Sequence, residues 1–257
     1  MSYPLPQELT RIIIGHLPDD KRQLQACSLV ARSWVQPSQT RLLESVKSPV
    51  GKLQSRLCNI PREKLKYIHQ LTCVGEGFFL PLSDQPVDLE ALRHHFDYLS
   101  ELRHLKCHMT QFTPSSQDIV FFSAFKDTLS TVTLSSCTVS ICGLATVIDY
   151  FKNLKSLHLK SLWKILPIQH PEKTTLSLRT FEKLSIRWRS LGLPDALIEL
   201  SKMELRFDEV AFECASLADS DGVPRIFGAS VKRVRWMNTT ANGMCDLLCF
   251  YCVNSWS

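Results

Sequence analysis

The chain has 257 residues, of which 44% are hydrophobic, and a formal net charge of +5 at pH 7. This composition is typical of a folded protein and excludes an intrinsically disordered chain. The mild positive charge comes without a long Lys/Arg run or the pattern of a known nucleic-acid-binding module, so we expect no nucleic-acid partner.

The ten cysteines and the first twenty residues indicate the compartment. The amino-terminal segment is rich in proline and charged residues and lacks the apolar core of a signal peptide. Nowhere does the sequence approach the roughly 20 consecutive apolar residues that span a bilayer. We therefore expect a cytoplasmic or nuclear protein with free thiols and no membrane contact, in which several cysteines fill core positions.

Residues 4–46 predict three short helices. Pro6 suits the first turn of a helix, Asp20 can cap the second helix, and Pro37 is expected to start the third. The first two helices carry apolar stripes at helical spacing, namely Leu9, Ile12, Ile13 and Leu17, then Leu24, Cys27, Val30 and Trp34.

These helices carry more large apolar side chains than they can bury. Leu5, Ile13, Ile14, Leu17 and Trp34 cannot all face inward, and a segment of about 40 residues buries too little surface to be stable alone. The surplus must be covered either by the rest of the chain or by a protein partner, and the spacing alone leaves both open.

A known motif resembles this segment. The string Leu5-Pro6-x-Glu8-Leu9-x-x-x-Ile13-x-x-x-Leu17, then Leu24-x-x-Cys27-x-Leu29-Val30-x-Arg32-x-Trp34 and Arg41-Leu42-Leu43, resembles an F-box over residues 4–46. F-box families use this trihelical module to bind the Skp-type adaptor of a cullin–RING ubiquitin ligase. The resemblance implies that the adaptor-facing positions are Leu5, Pro6, Leu9, Ile13, Leu17, Leu24, Cys27, Val30 and Trp34.

From residue 68 onward, the pattern apolar-x-x-apolar-x-apolar recurs seven times. It occurs at Ile68/Leu71/Cys73, Leu102/Leu105/Cys107, Leu129/Val132/Leu134, Leu154/Leu157/Leu159, Phe181/Leu184/Ile186, Leu200/Met203/Leu205 and Val231/Val234/Trp236. The intervals overlap the roughly 20–29-residue period of leucine-rich repeats. Two intervening stretches have helical spacing, at Leu89/Leu92/Phe96/Leu99 and Leu144/Val147/Ile148/Phe151.

Alternating strands and helices predict an α/β fold. We expect a short three-helix F-box followed by an irregular leucine-rich-repeat solenoid, with parallel strands on the concave face and helices on the convex face. The alternative is an ordinary α/β domain whose buried strands contain leucine. The predicted division is an F-box-like domain at 1–47, a connecting segment at 48–67, the repeat array at 68–237 and a weakly specified tail at 238–257.

Residues that alternate with the apolar strand positions are expected to point to the open face. Read off along the seven predicted strands, they include eight Lys or Arg, three His and one acidic residue. This bias predicts a groove for an acidic or phosphorylated segment of a target protein, and the alternative is a solvated surface. The predicted target-binding residues are Lys106, Lys160, Lys183, Arg187, Arg206, Arg233 and Arg235.

Signatures of catalysis or metal binding are absent from the sequence. His104 and His108 would lie about 13 Å apart on a strand, too far for one ion. Cys245, Cys249 and Cys252 lack a second pair at zinc-finger spacing. Neither a nucleophile elbow nor HExxH nor a phosphate loop occurs. We expect no enzyme, cofactor or metal, although a hydrolase hidden in the α/β part stays an alternative.

The combined prediction is a substrate receptor of a Skp–cullin–F-box type ubiquitin ligase, which captures a target for proteasomal degradation. Its F-box would bind the Skp-type adaptor and its repeats would bind the target protein. The other candidate is a leucine-rich-repeat interaction scaffold that is not coupled to a ligase.

Overall fold

The computed structural model describes residues 5–17, 20–75, 94–109, 111–112, 120–162, 164–166, 180–188, 206–214, 231–239 and 245–250. Three helices come first along the chain. One large sheet follows, in which strands alternate with helical segments. The protein is therefore of the α/β class, as the sequence predicts.

The amino-terminal part, here called the helical module, comprises α1 (Gln7–His16), α2 (Lys21–Val30) and α3 (Arg32–Glu44). Helix α3 packs against both α1 and α2. The Asp20 side chain caps α2 by accepting a hydrogen bond of 2.9 Å from the backbone N–H of Arg22. Ile14 and Leu24 are the module's buried large apolar residues, so its own core is small.

The third helix differs from the prediction. It begins at Arg32, and Pro37 lies buried inside it instead of starting it. Trp34 belongs to this helix and not to the second, because α2 ends at Val30 and Ala31 has an extended backbone. Proline inside a helix removes one backbone hydrogen bond, and the burial of its ring offsets part of that loss.

Twelve strands follow within the described residues. They are β1 (Ser45–Pro49), β2 (Gln70–Val74), β3 (His104–His108), β4 (Gln111–Phe112), β5 (Thr131–Ser135), β6 (Thr138–Ser140), β7 (Ser156–Lys160), β8 (Lys164–Leu166), β9 (Thr180–Trp188), β10 (Arg206–Cys214), β11 (Val231–Thr239) and β12 (Cys245–Phe250). Nine form one sheet in the order β1-β2-β3-β5-β7-β9-β10-β11-β12. Its strand pairs are parallel except β11 with β12, which are antiparallel. Strands β4, β6 and β8 form a small parallel sheet.

Helical segments connect several of these strands. They are the 3₁₀ helices Val50–Lys52 and Val120–Phe125 and the α-helices α4 (Leu53–Cys58), α5 (Arg62–Leu65) and α6 (Ile141–Tyr150). Helix α6 confirms the second predicted helical stretch, and its apolar stripe is buried. Ser140 caps it by accepting a 2.9 Å hydrogen bond from the N–H of Gly143. Leu89 and Leu92 of the other predicted stretch lie outside the described residues.

Six of the seven predicted strand positions coincide with strands of the large sheet. The sixth stays a prediction. The strand that pairs with β9 is β10, where Phe207, Val210 and Phe212 repeat the same spacing and Val210 lies opposite Leu184. The predicted Leu200, Met203 and Leu205 precede this strand and lie outside the described residues. Both segments satisfy the apolar spacing, and only pairing with β9 selects between them.

Both ends of the sheet extend beyond the predicted repeat array. At one end, β1 continues directly from α3 and pairs with β2, so that Ser45 lies opposite Gln70. Val46 on this strand is buried and belongs to the main hydrophobic core. At the other end, β12 pairs with β11 inside the segment predicted to be a weakly specified tail. The sheet therefore begins within the predicted F-box-like segment and runs into the predicted tail.

The core between the strands and the helical segments is continuous from Val46 to Val210. Phenylalanines stack along it: the ring centroids of Phe96 and Phe125 are 5.9 Å apart, and those of Phe125 and Phe151 are 6.1 Å apart. Offset and edge-to-face contacts of this kind add to the stabilisation from burial alone.

Buried cysteines share this core. Cys73 and Cys107 are free thiols opposite each other on β2 and β3, and the Cys137 thiol donates to the carbonyl of Cys107 at 3.4 Å. Burial raises the pKa of Cys73 to about 12 and the pKa of Cys107 well above its ordinary value. These three cysteines therefore act as small core residues, as predicted.

A left-handed residue follows each of four successive strands. Its backbone N–H donates to a carbonyl at the end of the neighbouring strand of the large sheet, at 2.6 to 2.9 Å, and the acceptor is the last or, in β9, the second-last residue of that strand. The four donors and acceptors are Gly75 to His108, Met109 to Ser135, Ser136 to Lys160 and Ser161 to Arg187. A non-glycine residue pays roughly 1–2 kcal/mol for this conformation, so its recurrence indicates that the same turn is imposed after each strand.

Candidate functional site

Large apolar side chains are exposed on the helical module. The six residues, here called the apolar surface, are Leu5, Leu9, Ile12, Ile13, Leu29 and Val30. Leu29 is 86% exposed and Val30 is 68% exposed, which is unusual for aliphatic side chains in regular helices. Within the described part of the chain, this surface is open to solvent. The described residues of the sheet and its helical segments therefore do not cover these six side chains.

The predicted adaptor-facing residues divide into three groups. Exposed residues are Leu5, Pro6, Leu9, Ile13 and Val30, and half-buried residues are Leu17, Cys27 and Trp34. Leu24 is only 3% exposed, because it lies on the side of α2 that packs against α3. Leu24 therefore belongs to the interior of the module and is removed from the set that can touch a partner.

Two exposed residues, Ile12 and Leu29, were not among the predicted adaptor-facing positions. Leu29 stands in the string that resembles an F-box, next to Val30. Helical periodicity favours one of two adjacent positions for a stripe, and it gave no signal that both are exposed. The apolar surface therefore includes two residues beyond the predicted adaptor-facing positions.

Polar contacts join the helical module to the sheet. The N–H of His69, just before β2, donates to the carbonyl of Glu44 at the end of α3, at 3.0 Å. Lys64 Nζ donates to Gln39 Oε1 at 2.7 Å. Arg41 pairs with Glu44 beside a cleft of about 340 Å³ that Tyr67 helps to line. These contacts hold the module against the first part of the sheet, in addition to the covalent connection from α3 into the first strand.

One side of the sheet is polar. Along β2, β3, β7 and β9, buried residues alternate with half-buried ones, as predicted. The side chains on this polar face are Gln70, Thr72 and Val74, then His104, Lys106 and His108, then Thr131, Thr133 and Ser135, then Ser156, His158 and Lys160, then Lys183, Ser185 and Arg187. Thr133 is the buried member, at 7% exposure.

Parallel register arranges the polar face in rows. The middle row is Lys106, Thr133, His158 and Ser185, each opposite the next. The rows on either side are His104, Thr131, Ser156 and Lys183, and His108, Ser135, Lys160 and Arg187. Residues next to each other in a row are about 4.8 Å apart. On one strand, the residues that belong to two adjacent rows are about 6.6 Å apart. Hydroxyl groups of β5 therefore lie between cationic side chains of β3 and β7.

The electrostatics of the polar face are positive at its centre. The pKa of His158 is lowered to about 4, mainly by burial and in addition by the charges of Lys160, Lys183, Lys106 and His104. Burial also lowers the pKa of His104, with contributions from Lys106, Arg103 and His69. Both imidazoles are therefore neutral at pH 7, and their depressed pKa values reflect the surrounding lysines as well as partial burial.

Strand β10 introduces acidic residues that the predicted face lacked. Lys183 Nζ is 3.2 Å from Glu209 Oε1, and the register places Glu213 opposite Arg187 and Arg233 opposite Glu209. These acidic residues were not foreseen, because the sixth predicted strand lay at Leu200, Met203 and Leu205 and not at β10.

The predicted target-binding residues consequently separate. Arg206 lies opposite Thr180 at the start of β10 and outside the three rows, which corrects its predicted position. Arg233 and Arg235 stand at register positions opposite Glu209 and Ala211. Lys106, Lys160, Lys183 and Arg187 share the polar face as predicted. Among the described residues, no carboxylate lies within ion-pair distance of Lys106 or Lys160.

Metal and membrane features can be assessed for the described ranges only. Within them, no group of three His, Cys, Asp or Glu residues could hold a metal ion. His104 and His108 lie at opposite ends of β3, with Lys106 between them. Cys252 and the side chains of Cys245 and Cys249 lie outside what is described. The described helices include none long and apolar enough to cross a membrane.

Comparison with known proteins adds no family assignment. No protein-family model matches the chain, and no curated protein matches its sequence. The class of protein is therefore defined by the fold and its two surfaces. It is an α/β protein with an amino-terminal helical module that exposes apolar residues and a mostly parallel sheet with a polar, cationic face.

Proposed function

We propose that this chain is a substrate receptor of a Skp–cullin–F-box type ubiquitin ligase. The helical module acts as the F-box and binds the Skp-type adaptor, and the sheet binds the target protein. The observation that carries the proposal is the apolar surface: Leu9, Ile13 and Val30 are exposed on a module whose sequence resembles an F-box. Burying such side chains against a partner stabilises the complex by roughly 1.5–3 kcal/mol each.

The sheet forms an irregular leucine-rich-repeat solenoid in this proposal, with its polar face as the concave face. Three features support it: the parallel order of the strands, the phenylalanines that recur along the core and the left-handed turn that follows four strands. A solenoid presents one extended surface built from equivalent positions of each repeat. Such a surface suits the capture of an extended segment of a target protein.

The receptor works by proximity and makes no bond itself. Holding the target beside the ligase raises the effective concentration of target lysines near the charged conjugating enzyme. This requires a stiff connection between the two binding surfaces. The direct passage from α3 into β1 and the hydrogen bond between His69 and Glu44 supply one. The reducing cytoplasm or nucleus, where such ligases act, suits its buried thiols.

Capture of a Skp-type adaptor by the full chain tests the proposal. We compare the wild type with Ile13→Asp and Val30→Asp. Met109→Asp is the control, because Met109 is an exposed apolar residue in the turn after β3, outside the helical module. A charge at the centre of an apolar interface costs on the order of 2 kcal/mol or more, so the two module variants should bind at least tenfold more weakly. The control should bind like the wild type.

Failure of the wild-type chain to capture the adaptor would remove the ligase from the proposal. The polar face would then belong to a leucine-rich-repeat interaction scaffold without a ligase. Equal weakening by all three variants would instead indicate that any added charge disturbs the chain, and would contradict a role of the apolar surface in particular.

A further inference from the structure

We propose that the polar face binds a phosphoryl group above Thr133, between Lys106 of β3 and His158 and Lys160 of β7. The inference rests on the proposed function in one respect: the phosphoryl group belongs to a phosphorylated serine or threonine of the target. It narrows the broader prediction, a basic groove along seven strands for an acidic or phosphorylated segment, to one site on three strands.

The geometry of the middle row supports this site. Lys106, Thr133 and His158 lie opposite one another on β3, β5 and β7. The two outer positions are separated by two strand spacings, about 10 Å, so one tetrahedral anion can lie between them. The short hydroxyl side chains of β5 form the floor, and hydroxyl and ammonium groups are the donors that phosphate oxygens accept from.

The distribution of charge places the site at β3–β7 and not elsewhere on the sheet. Among the described residues, no carboxylate is within ion-pair distance of Lys106 or Lys160. Farther along the sheet, Glu209 pairs with Lys183. Glu213 is in register with Arg187. A dianion is therefore attracted to the centre of β5, whereas beside β10 the charge of Lys183 is already offset by a carboxylate.

The histidines make binding depend on pH. His158 faces Thr133 of β5, Lys160 of its own strand, and Ser185 and Lys183 of β9. Beyond β5 lie the titratable groups Lys106 and His104, and Glu209 of β10 lies behind Lys183. A bound dianion offsets the lysine charges and so raises the pKa of His158 from about 4. Binding then takes up a proton, and linkage requires that affinity increases as pH falls.

The test uses the full chain, with inorganic phosphate and sulfate as probes and the imidazole C–H resonance of His158 as the readout, assigned with His158→Gln. Sulfate stays a dianion over the range from about pH 8 to about pH 5, so its pH dependence reports the protein alone. We expect a saturable shift with both anions, and tighter sulfate binding at the lower pH. Lys106→Gln and Lys160→Gln should each weaken binding by about tenfold.

A matched control separates this site from general positive charge. Lys155 is an exposed lysine of the same sheet region that already pairs with Glu182 at 2.8 Å, and Lys155→Gln should leave anion binding unchanged. His158→Gln lacks the reporting imidazole, so its sulfate binding is measured by titration calorimetry beside the wild type, and it should still bind sulfate but without the increase at low pH. Absence of a saturable shift in the wild type, or equal weakening by Lys155→Gln and Lys106→Gln, overturns the site.

A second measurement distinguishes a phosphorylated target from free phosphate. A short alanine-rich peptide with one phosphoserine should bind, compete with sulfate and lose affinity in Lys106→Gln, whereas its unphosphorylated form should not bind. If inorganic phosphate binds and the phosphopeptide does not, the assignment to a target protein is wrong. Adaptor capture is measured in parallel, so its failure beside intact phosphopeptide binding would count against the ligase and not against this site.

Discussion

The helical module and the sheet use apolar residues in opposite ways. The module buries Ile14 and Leu24 and leaves Leu9, Leu29 and Val30 exposed. The sheet places its aliphatic and aromatic residues in one continuous core and presents polar side chains on its other face. The comparison shows that apolar residues of the sheet stabilise the fold of this chain, whereas those on the surface of the module remain available to a partner.

The two regions therefore respond differently to the same kind of substitution. Removing an apolar side chain from the sheet removes core contacts of this chain. Removing one from the apolar surface removes contacts that form only in a complex. The following predictions test this difference, from the largest expected effect to the smallest.

The largest effect is expected for Phe125→Ala. Phe125 is fully buried between Phe96 and Phe151, and removing such a ring costs about 3–5 kcal/mol of the free energy of unfolding. The matched substitution Leu9→Ala on the apolar surface should change it by less than about 0.5 kcal/mol. Denaturant unfolding of both variants measures the difference. Similar losses for the two would show that the exposed residues also stabilise the isolated chain.

A smaller effect is expected from the pH dependence of the sheet. His158 has a folded-state pKa of about 4, which is below its unfolded value, so the unfolded state binds more protons between these two values. Its stability contribution is complete above the unfolded pKa of about 6.5 and decreases as pH falls toward the folded value.

The variant His158→Gln should therefore lose less stability than the wild type between about pH 7 and about pH 5. We expect a difference of about 1 kcal/mol, after reducing the full conversion of the pKa shift for partial solvent exposure. Denaturant unfolding at the two pH values measures it. Identical pH dependence of the two proteins would show that folding does not lower the pKa of His158.

An effect of about 1 kcal/mol is expected from each helix cap. Asp20→Ala removes the cap of α2 in the module, and Ser140→Ala removes the cap of α6 beside the sheet. Because the module's core residues Ile14 and Leu24 lie outside the main core, Asp20→Ala should speed amide exchange in α2 and leave β5 unchanged. Ser140→Ala should do the reverse. Equal acceleration in both regions after either change would show that they open as one unit.

The smallest effect is expected for the surface pair of Lys155 and Glu182, whose side chains are 60% and 61% exposed. Solvent and salt screen such a pair, so a double-mutant cycle with Lys155→Gln and Glu182→Gln should give a coupling of no more than about 0.5 kcal/mol. A much larger coupling would show that this edge of the polar face is shielded from water.

The sequence predicted those parts of the fold that depend on burial. Six strand positions and helix α6 follow from apolar spacing, because each buried face imposes its own period. Strand β1 could not be found in this way, since Val46 is its one apolar residue before the closing proline and its stability depends on pairing with β2. Strand β10 was not predicted, because two neighbouring segments share the pattern and apolar spacing alone does not show which of them pairs with β9.

Those features of the candidate site that follow from the alternation of residues along one strand were predicted. Those that depend on which residues of adjacent strands lie side by side were missed. Lys106 and Lys160 share the polar face as expected. The carboxylate of Glu209 beside Lys183 could not be foreseen, because a shift of one strand replaces every residue that it contributes. In the module, the match to an F-box-like string placed Leu24 among the contact residues. Its burial depends on how α2 packs against α3.

The buried cysteines allow the opening of the sheet to be measured by thiol modification. The thiolate is the form that reacts with alkylating reagents, and the raised pKa values of Cys73 and Cys107 suppress it in the closed state. Modification of these two thiols must therefore wait until β2 and β3 separate. Cys58, which is exposed at the end of α4, reacts without that step. The ratio of the two labelling rates reports how often the first strands of the sheet come apart, and it uses only cysteines already present in the sequence.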